Sequence, residues 1–335
     1  MALRYITDRE NQAKQLAMDP IPDHFPSKSD GIRLFRDVQN SDGGWGFVAG
    51  EQSRVESTCW VIKALTAAGG AKRADDDTLR RGLDFLTSAQ LPDGSWPAMP
   101  ETEEGCWVTS LASWVLAALY DEKYVKPIDA GLRWVCDDWP QDSTWWRRTV
   151  RKLSSAGKVG KQNDASRGWG WTPGTSSWVE PTAFALLALE WQPVAISTAG
   201  FHRVAEKRRK LGEALLYDRM CTGGGWNCGN PEDYGVPGEP MVIPTTWALL
   251  SLRHHPERRE NKESIAWLEN NFSKIQGAAS YASARICLEV YGRQRETQAA
   301  NAYDHGETTR SLQVEAWMSL AESNPRQWLS AGRNS

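Results

Sequence analysis

One phrase recurs in register along this chain and limits what it can become. Its fullest copy is Arg81-Gly82-x-x-Phe85-Leu86-x-x-x-Gln90-x-x-x-Gly94-x-Trp96. An earlier copy runs Gly31-x-x-Leu34-Phe35-x-x-x-Gln39-x-x-x-Gly43-x-Trp45, and a later one runs Gly212-x-x-Leu215-Leu216-x-x-x-Met220-x-x-x-Gly224-x-Trp226. A fourth is split, with Gly131-x-x-Trp134-Val135 as its helical half and Gly168-Trp169-Gly170-Trp171 resuming it after an insertion. Fainter traces occur at Ser264-x-x-Trp267-Leu268 and near the C-terminus. A unit repeated in this way buries its apolar face only by stacking on its neighbours, so the chain is expected to form a repeat array.

Two kinds of segment alternate along it. Before each Gly-Trp turn the pattern is amphipathic: Leu79, Leu83, Phe85 and Leu86 are interleaved with Arg80, Arg81 and Asp84, which predicts a helix with one wet face. After each turn comes a stretch apolar on nearly all sides, at Thr58 to Ala68, Thr109 to Leu119, Thr182 to Leu189 and Thr245 to Leu252, the mark of a buried helix. In three copies the Trp precedes the opening Thr by 13 residues (Trp45 to Thr58, Trp96 to Thr109, Trp169 to Thr182). A hydroxyl there suits an N-cap or first-turn position. Further inner candidates at Ala279 to Tyr291 and Glu307 to Leu320 bring the count to about six pairs. An open array would expose apolar faces at both edges, which favours closure into a ring. The prediction is all-α: a single α/α toroid domain over 1–335, with an N-terminal helix over 1–20 and a basic insertion over 140–166.

Composition narrows the function classes. With 40% hydrophobic and 24% charged residues the chain reads as globular, and it has no apolar run of membrane-spanning length. Its first 22 residues mix charged and apolar side chains and lack a secretory pattern, so a cytoplasmic location is expected. The six cysteines (Cys59, Cys106, Cys136, Cys221, Cys228, Cys287) are dispersed with no CxxC pair, against a disulfide framework or ribbon-type zinc site. A net charge of −3 argues against nucleic acid as a partner.

These repeats resemble the QW repeat of squalene–hopene and oxidosqualene cyclases and, more loosely, the β-subunits of protein prenyltransferases: the terpenoid cyclase and protein prenyltransferase α/α toroid superfamily. The resemblance is strong over Gly31 to Leu252 and weak in the remainder. It implies that Gln39, Gln90, Trp45, Trp96, Trp169 and Trp226 are scaffold, tying outer helix ends to loops. It also implies an isoprenoid or other apolar small molecule as ligand, an isomerase-type reaction, and a partner subunit as an alternative.

The resemblance further implies where chemistry would sit. Class II cyclases place an Asp-x-Asp-Asp-Thr acid motif at the head of an inner helix, and this sequence lacks it. Aligned on the Thr, Arg54-Val55-Glu56-Ser57-Thr58 keeps one carboxylate, Glu56, at the middle Asp position, and Glu180 in Glu180-Pro181-Thr182 holds the same place in another repeat. Both are catalytic-acid candidates; both also suit plain capping of inner helices, where a carboxylate favours the N-terminal dipole. The adjacent Arg54 would hold Glu56 ionised. The prenyltransferase branch implies zinc, for which Glu104, Cys106 and His305 are an imperfect match, with Glu for Asp and Cys106 one residue early. No other metal or cofactor is expected.

Trp60, Trp107, Trp114, Trp171, Trp178, Phe184 and Trp247 are candidates to line a cavity and stabilise a carbocation, or simply to pack a core. Within the insertion, Arg147, Arg148, Arg151 and Lys152 form an anion-binding candidate or a solvated loop. A second basic run, Arg203, Lys207, Arg208, Arg209 and Lys210, reads as the wet face of an outer helix. The loop from Gly223 to Pro240 carries turn residues and should lie at the end of the ring where the inner helices begin. Two functional readings result: an acid-initiated, terpene cyclase-like enzyme using Glu56 or Glu180, and a non-catalytic toroid that binds a ligand or protein.

Overall fold

A computed structural model of the chain describes residues 28–69, 77–119, 121–140, 166–191, 198–233, 236–293 and 311–330. The expected N-terminal helix over 1–20 lies outside them, as does the insertion between 140 and 166. The described residues are helical, apart from a two-stranded antiparallel ribbon, β1 (Glu232–Asp233) and β2 (Val236–Pro237), in the long loop where turns alone were expected. No described helix is long and apolar enough to cross a membrane.

Among the described residues six helices are buried along most of their length: α2 (Val55–Gly69), α4 (Val108–Leu119), α6 (Val179–Glu190), α8 (Val242–Ser251), α10 (Ala278–Val290) and α11 (Leu312–Ala321). Six others carry polar residues on one side: α1 (Lys28–Asp37), α3 (Asp77–Ser88), α5 (Val125–Asp137), α7 (Ala199–Asp218), α9 (Arg259–Asn271) and the short α12 (Pro325–Ser330). In α3 the buried set is Leu79, Gly82, Leu83, Phe85 and Leu86, the helical stripe that the sequence spacing predicts. This alternation is that of an α/α toroid.

The described residues fall into two compact units. One comprises the described residues within Met1–Gln90, Pro97–Glu103 and Asn271–Asn334, the other those within Leu91–Trp96 and Glu104–Asn270. In the first, α11 packs between α10 and α2, with α1, α3 and α12 laid against them. In the second, α6 packs between α4 and α8, while α5 and α7 cover its outer side.

The corner of each repeat is built from backbone groups that would otherwise be buried without partners. The Trp45, Trp96, Trp169 and Trp226 N–H groups donate to the hydroxyls of Thr58, Thr109, Thr182 and Thr245 at 3.0, 2.9, 3.0 and 2.8 Å. The hydroxyls of Thr109 and Thr245 also donate back to the carbonyl of the same Trp, at 3.3 and 3.1 Å. The recurring spacing therefore has a different reason from the one expected. Thr58 sits past the start of α2, and its hydroxyl serves the preceding corner rather than capping its own helix.

The indole N–H groups fasten the corner to the outer helix. Trp45 donates to the Phe35 carbonyl at 2.8 Å, Trp169 to Val135 at 2.7 Å and Trp226 to Leu216 at 2.5 Å. Leaving such a donor unpaired in the interior would cost about 1–3 kcal/mol. Gln39 acts as the expected tie: its amide reaches the Gly43 carbonyl at 2.8 Å and the Thr78 carbonyl, at the head of the next outer helix, at 2.9 Å.

Two kinds of glycine are required by shape. Gly43, Gly94 and Gly224 have φ of 90°, 90° and 105°, which side chains rarely tolerate. The leading glycine instead makes room for a ring, since a Cβ at Gly82, Gly131 or Gly212 would lie 2.7 Å from Cζ3 of Trp45, Trp96 or Trp169 respectively. The indoles of Trp45, Trp96 and Trp169 are thus each seated on the glycine of the following outer helix.

Candidate functional site

The corners deliver the first turn of each inner helix, and with it the candidate carboxylates. In the first unit, the Arg54 N–H closes onto the Trp45 carbonyl at 2.9 Å, which starts α2 and places Glu56 in its opening turn. Glu56 is buried, and its Oε1 accepts from Nε2 of Gln313 on α11 at 3.1 Å. Cys59 and Lys63 follow Glu56 at one-turn intervals on α2, both buried, and Gln313 and Glu315 are buried on α11. Burial pushes the Cys59 thiol well above its ordinary value; Glu56 adds to this and Lys63 opposes it. Beside this polar strip, Trp60 meets Trp317 edge to face, with centroids 5.3 Å apart and planes at 85°.

In the second unit Glu180 occupies the opening turn of α6, half-buried, two residues before Thr182. Pro181 follows it where a missing backbone N–H breaks no helical bond. Next to it the Cys228 carbonyl accepts from Val179 N–H at 3.0 Å, and the Cys228 thiol is raised to about 12 by burial and then by the charge of Glu180. Glu56 and Glu180 lie in different units.

Four of the aromatic candidates form a continuous run in this unit. Trp171 meets Trp107 edge to face at 5.3 Å, Trp107 lies 5.2 Å from Phe184, and Phe184 lies 5.1 Å from Trp247. Trp114 is fully buried on α4. Trp178 stands apart, 37% exposed, with its backbone N–H returning to the Trp169 carbonyl at 2.9 Å.

Of the zinc candidates, Glu104 is exposed and Cys106 buried, its N–H closing onto the Trp96 carbonyl at 3.1 Å. His305 lies outside the described residues, among which no group of three His, Cys, Asp or Glu side chains is placed to hold a metal ion. Arg147, Arg148, Arg151 and Lys152 also lie outside them.

One residue departs from the sequence pattern. Arg208, assigned to the wet face of its helix, is completely buried on α7, with its guanidinium 4.0 Å from the ring centroids of both Trp139 and Trp169. Burial lowers it to about 10, and burial also raises the neighbouring Asp138 carboxyl to about 6, with Arg208 opposing. Helical periodicity marks a charged position as exposed; it cannot register that the end of another helix supplies an indole to cover it.

Corners of this construction, with alternating buried and half-wet helices, give the chain an α/α toroid fold, and short stretches of it are similar to terpenoid cyclases. Within that class the chain is 40% identical over 75 residues to drimenyl diphosphate synthase of Streptantibioticus cattleyicolor, a stretch that is 22% of this chain and 13% of the relative. It is 36% identical over 69 residues to lanosterol synthase of Mus musculus, covering 18% of this chain and 9% of that one. A drimenyl diphosphate synthase of Streptomyces showdoensis matches at 30% over 124 residues, 35% of this chain and 22% of the relative. The matched stretches thus span less than a quarter of these relatives. No family model matches the chain. Among solved structures, a glycosidase shares the fold over 90% of this chain and 96% of its own at a TM-score of 0.58 and 10% identity.

Proposed function

We propose that the chain is an isoprenoid-handling, terpene cyclase-like protein that holds a polyene at the heads of its inner helices, with Glu56 as the proton-transferring group. The observation that carries this reading is the pairing of Glu56 with Gln313. A primary amide supports a carboxyl group in either protonation state, donating from nitrogen to the carboxylate and accepting at oxygen from the acid. A group that gives up and regains a proton during a turnover needs such a neighbour. The edge-to-face Trp60 and Trp317 pair lies on the same two helices, where indole faces would stabilise a developing cation. The similarity to drimenyl diphosphate and lanosterol synthases agrees in chemical class.

The test is incubation of the pure protein with squalene and with linear prenyl diphosphates, followed by mass spectrometry. Cyclised or isomerised product is expected from wild type and a loss of about 100-fold or more from Glu56→Gln. No turnover by wild type, or undiminished turnover by Glu56→Gln, would end the reading.

One departure supports a second reading. Arg54 and Ser57 stand where the class II motif would carry further carboxylates around Glu56, and a lone carboxyl is a weaker acid toward an unactivated alkene. A binding module would keep the apolar site without chemistry. Thermal stabilisation by a prenyl ligand with no product would select that alternative.

A further inference from the structure

At the root of the insertion two cationic side chains are stacked with indoles and, although the Asp138 carboxyl is near enough to act on Arg208, neither makes an ion pair with a described carboxylate. Arg208 lies between Trp139 and Trp169, 4.0 Å from each ring centroid, and Arg167 lies over Trp139 at 5.4 Å. Arg208 is completely buried; its Nη2 donates to the carbonyls of Asp138 at 2.7 Å and Gly168 at 3.4 Å. Its Nε and Nη1, the Nε of Arg167 and the hydroxyl of Ser166 are buried with no hydrogen-bond partner among the described residues. Nor does a described carboxylate form an ion pair with either guanidinium.

Such an arrangement is costly as it stands. The Arg208 guanidinium has lost its water, Arg167 repels it, and the unpaired buried donors forfeit bonds they would make in solution. Burial lowers Arg208 to about 10; the Asp138 carboxyl opposes this, and Arg167 adds to it. The two indole faces and two carbonyls offset part of the loss, but four donors remain unserved among the described residues. A carboxylate brings two acceptor oxygens; a phosphate group brings three and up to two charges, which matches the donors better. Trp139 is 38% exposed and Arg167 is half-buried, so the buried Arg208 stack lies next to the surface.

We infer that Arg208, Arg167 and Ser166 form an anion site for a phosphate or diphosphate group, separate from the carboxylates at the inner-helix heads. The site does not depend on the cyclase reading, since a phosphate on any ligand would satisfy it. Calorimetric titration with inorganic pyrophosphate tests it directly. Saturable binding is expected, weakened at least about tenfold in Arg167→Gln, the substitution that leaves the buried Arg208 stack intact. Arg208→Lys, which keeps the charge but loses the planar fork, is expected to weaken it as well. Absence of saturable binding by wild type at millimolar pyrophosphate, or equal affinity in Arg167→Gln, overturns the proposal. Parallel titrations with farnesyl diphosphate and farnesol identify the source. Binding of farnesyl diphosphate more tightly than pyrophosphate, with farnesol inert, supports the site and assigns it to a prenyl diphosphate. Equal affinity for the two phosphates supports it as a site for free phosphate. Binding of farnesol as tightly as farnesyl diphosphate, with Arg167→Gln indifferent to both, overturns it.

Discussion

At the scale of single residues, the corner threonines carry more than their size suggests. The Thr182 hydroxyl is the acceptor for the Trp169 N–H, and both groups are buried. Thr182→Val keeps the volume and removes that acceptor, leaving an orphaned N–H; a loss of about 1–3 kcal/mol is expected in a urea titration, and Thr182→Ser should restore most of it. Full stability in the valine variant would show that the hydroxyl is not the fastening. Asp138 offers a test in pH. Its carboxyl is raised to about 6 by burial, from an ordinary value of 3.8. The unfolded chain therefore releases this proton more readily than the folded one, and stability attributable to Asp138 falls as pH climbs from about 4 to 6 and stays lower above that. Asp138→Asn removes the penalty. Relative to wild type, the variant should gain on the order of 1–2 kcal/mol at pH 7.5 and little at pH 4, read from denaturant midpoints at the two pH values.

Within a helix, intrinsic propensity and packing can be set against each other on α7. Alanine favours a helix interior over glycine by about 1 kcal/mol. At Gly200 an added Cβ meets nothing within 4 Å, so Gly200→Ala should stabilise, by a few tenths of a kcal/mol up to about 1. At Gly212 the same Cβ comes 2.7 Å from Cζ3 of Trp169 and 3.1 Å from Cδ2 of Leu186. Neither can withdraw in a packed interior, so Gly212→Ala should destabilise by about 1–3 kcal/mol despite its better propensity. Thermal melts of the two variants should move in opposite directions, and a rise for both would mean that the indole is not held against the helix.

For the molecule as a whole, the alternation of helices was legible because burial on one side or on all sides writes a distinct pattern of residues. Leu79, Leu83 and Leu86 could be assigned to a core-facing stripe, and Thr109 to Leu119 to a buried helix, before any coordinate was known. The position of Glu56 in an opening turn was legible for the same reason, as an offset from its Trp and Thr. Its partner was not. Gln313 is 257 residues away, and nothing local in either segment marks the pair. Arg208 escaped the pattern because the covering Trp139 comes from beyond the end of another helix. The zinc alternative rests on His305, outside the described residues, and metal analysis decides it. Dialysis against a chelator is expected to leave the melting temperature unchanged, and stoichiometric zinc in the purified protein would reverse that expectation.

The seating of the Trp45, Trp96 and Trp169 indoles on the next helix's glycine means that the period of the letters and the period of the physical joints are out of phase. A cut made after Trp45 and before Gly82, or after Trp169 and before Gly212, severs a bearing from its socket. Shortening, lengthening or grafting this array by whole modules will therefore succeed only with boundaries drawn so that Trp45, Trp96 and Trp169 each travel with the glycine that follows. The heritable building block is displaced from the one that the spelling of the chain suggests.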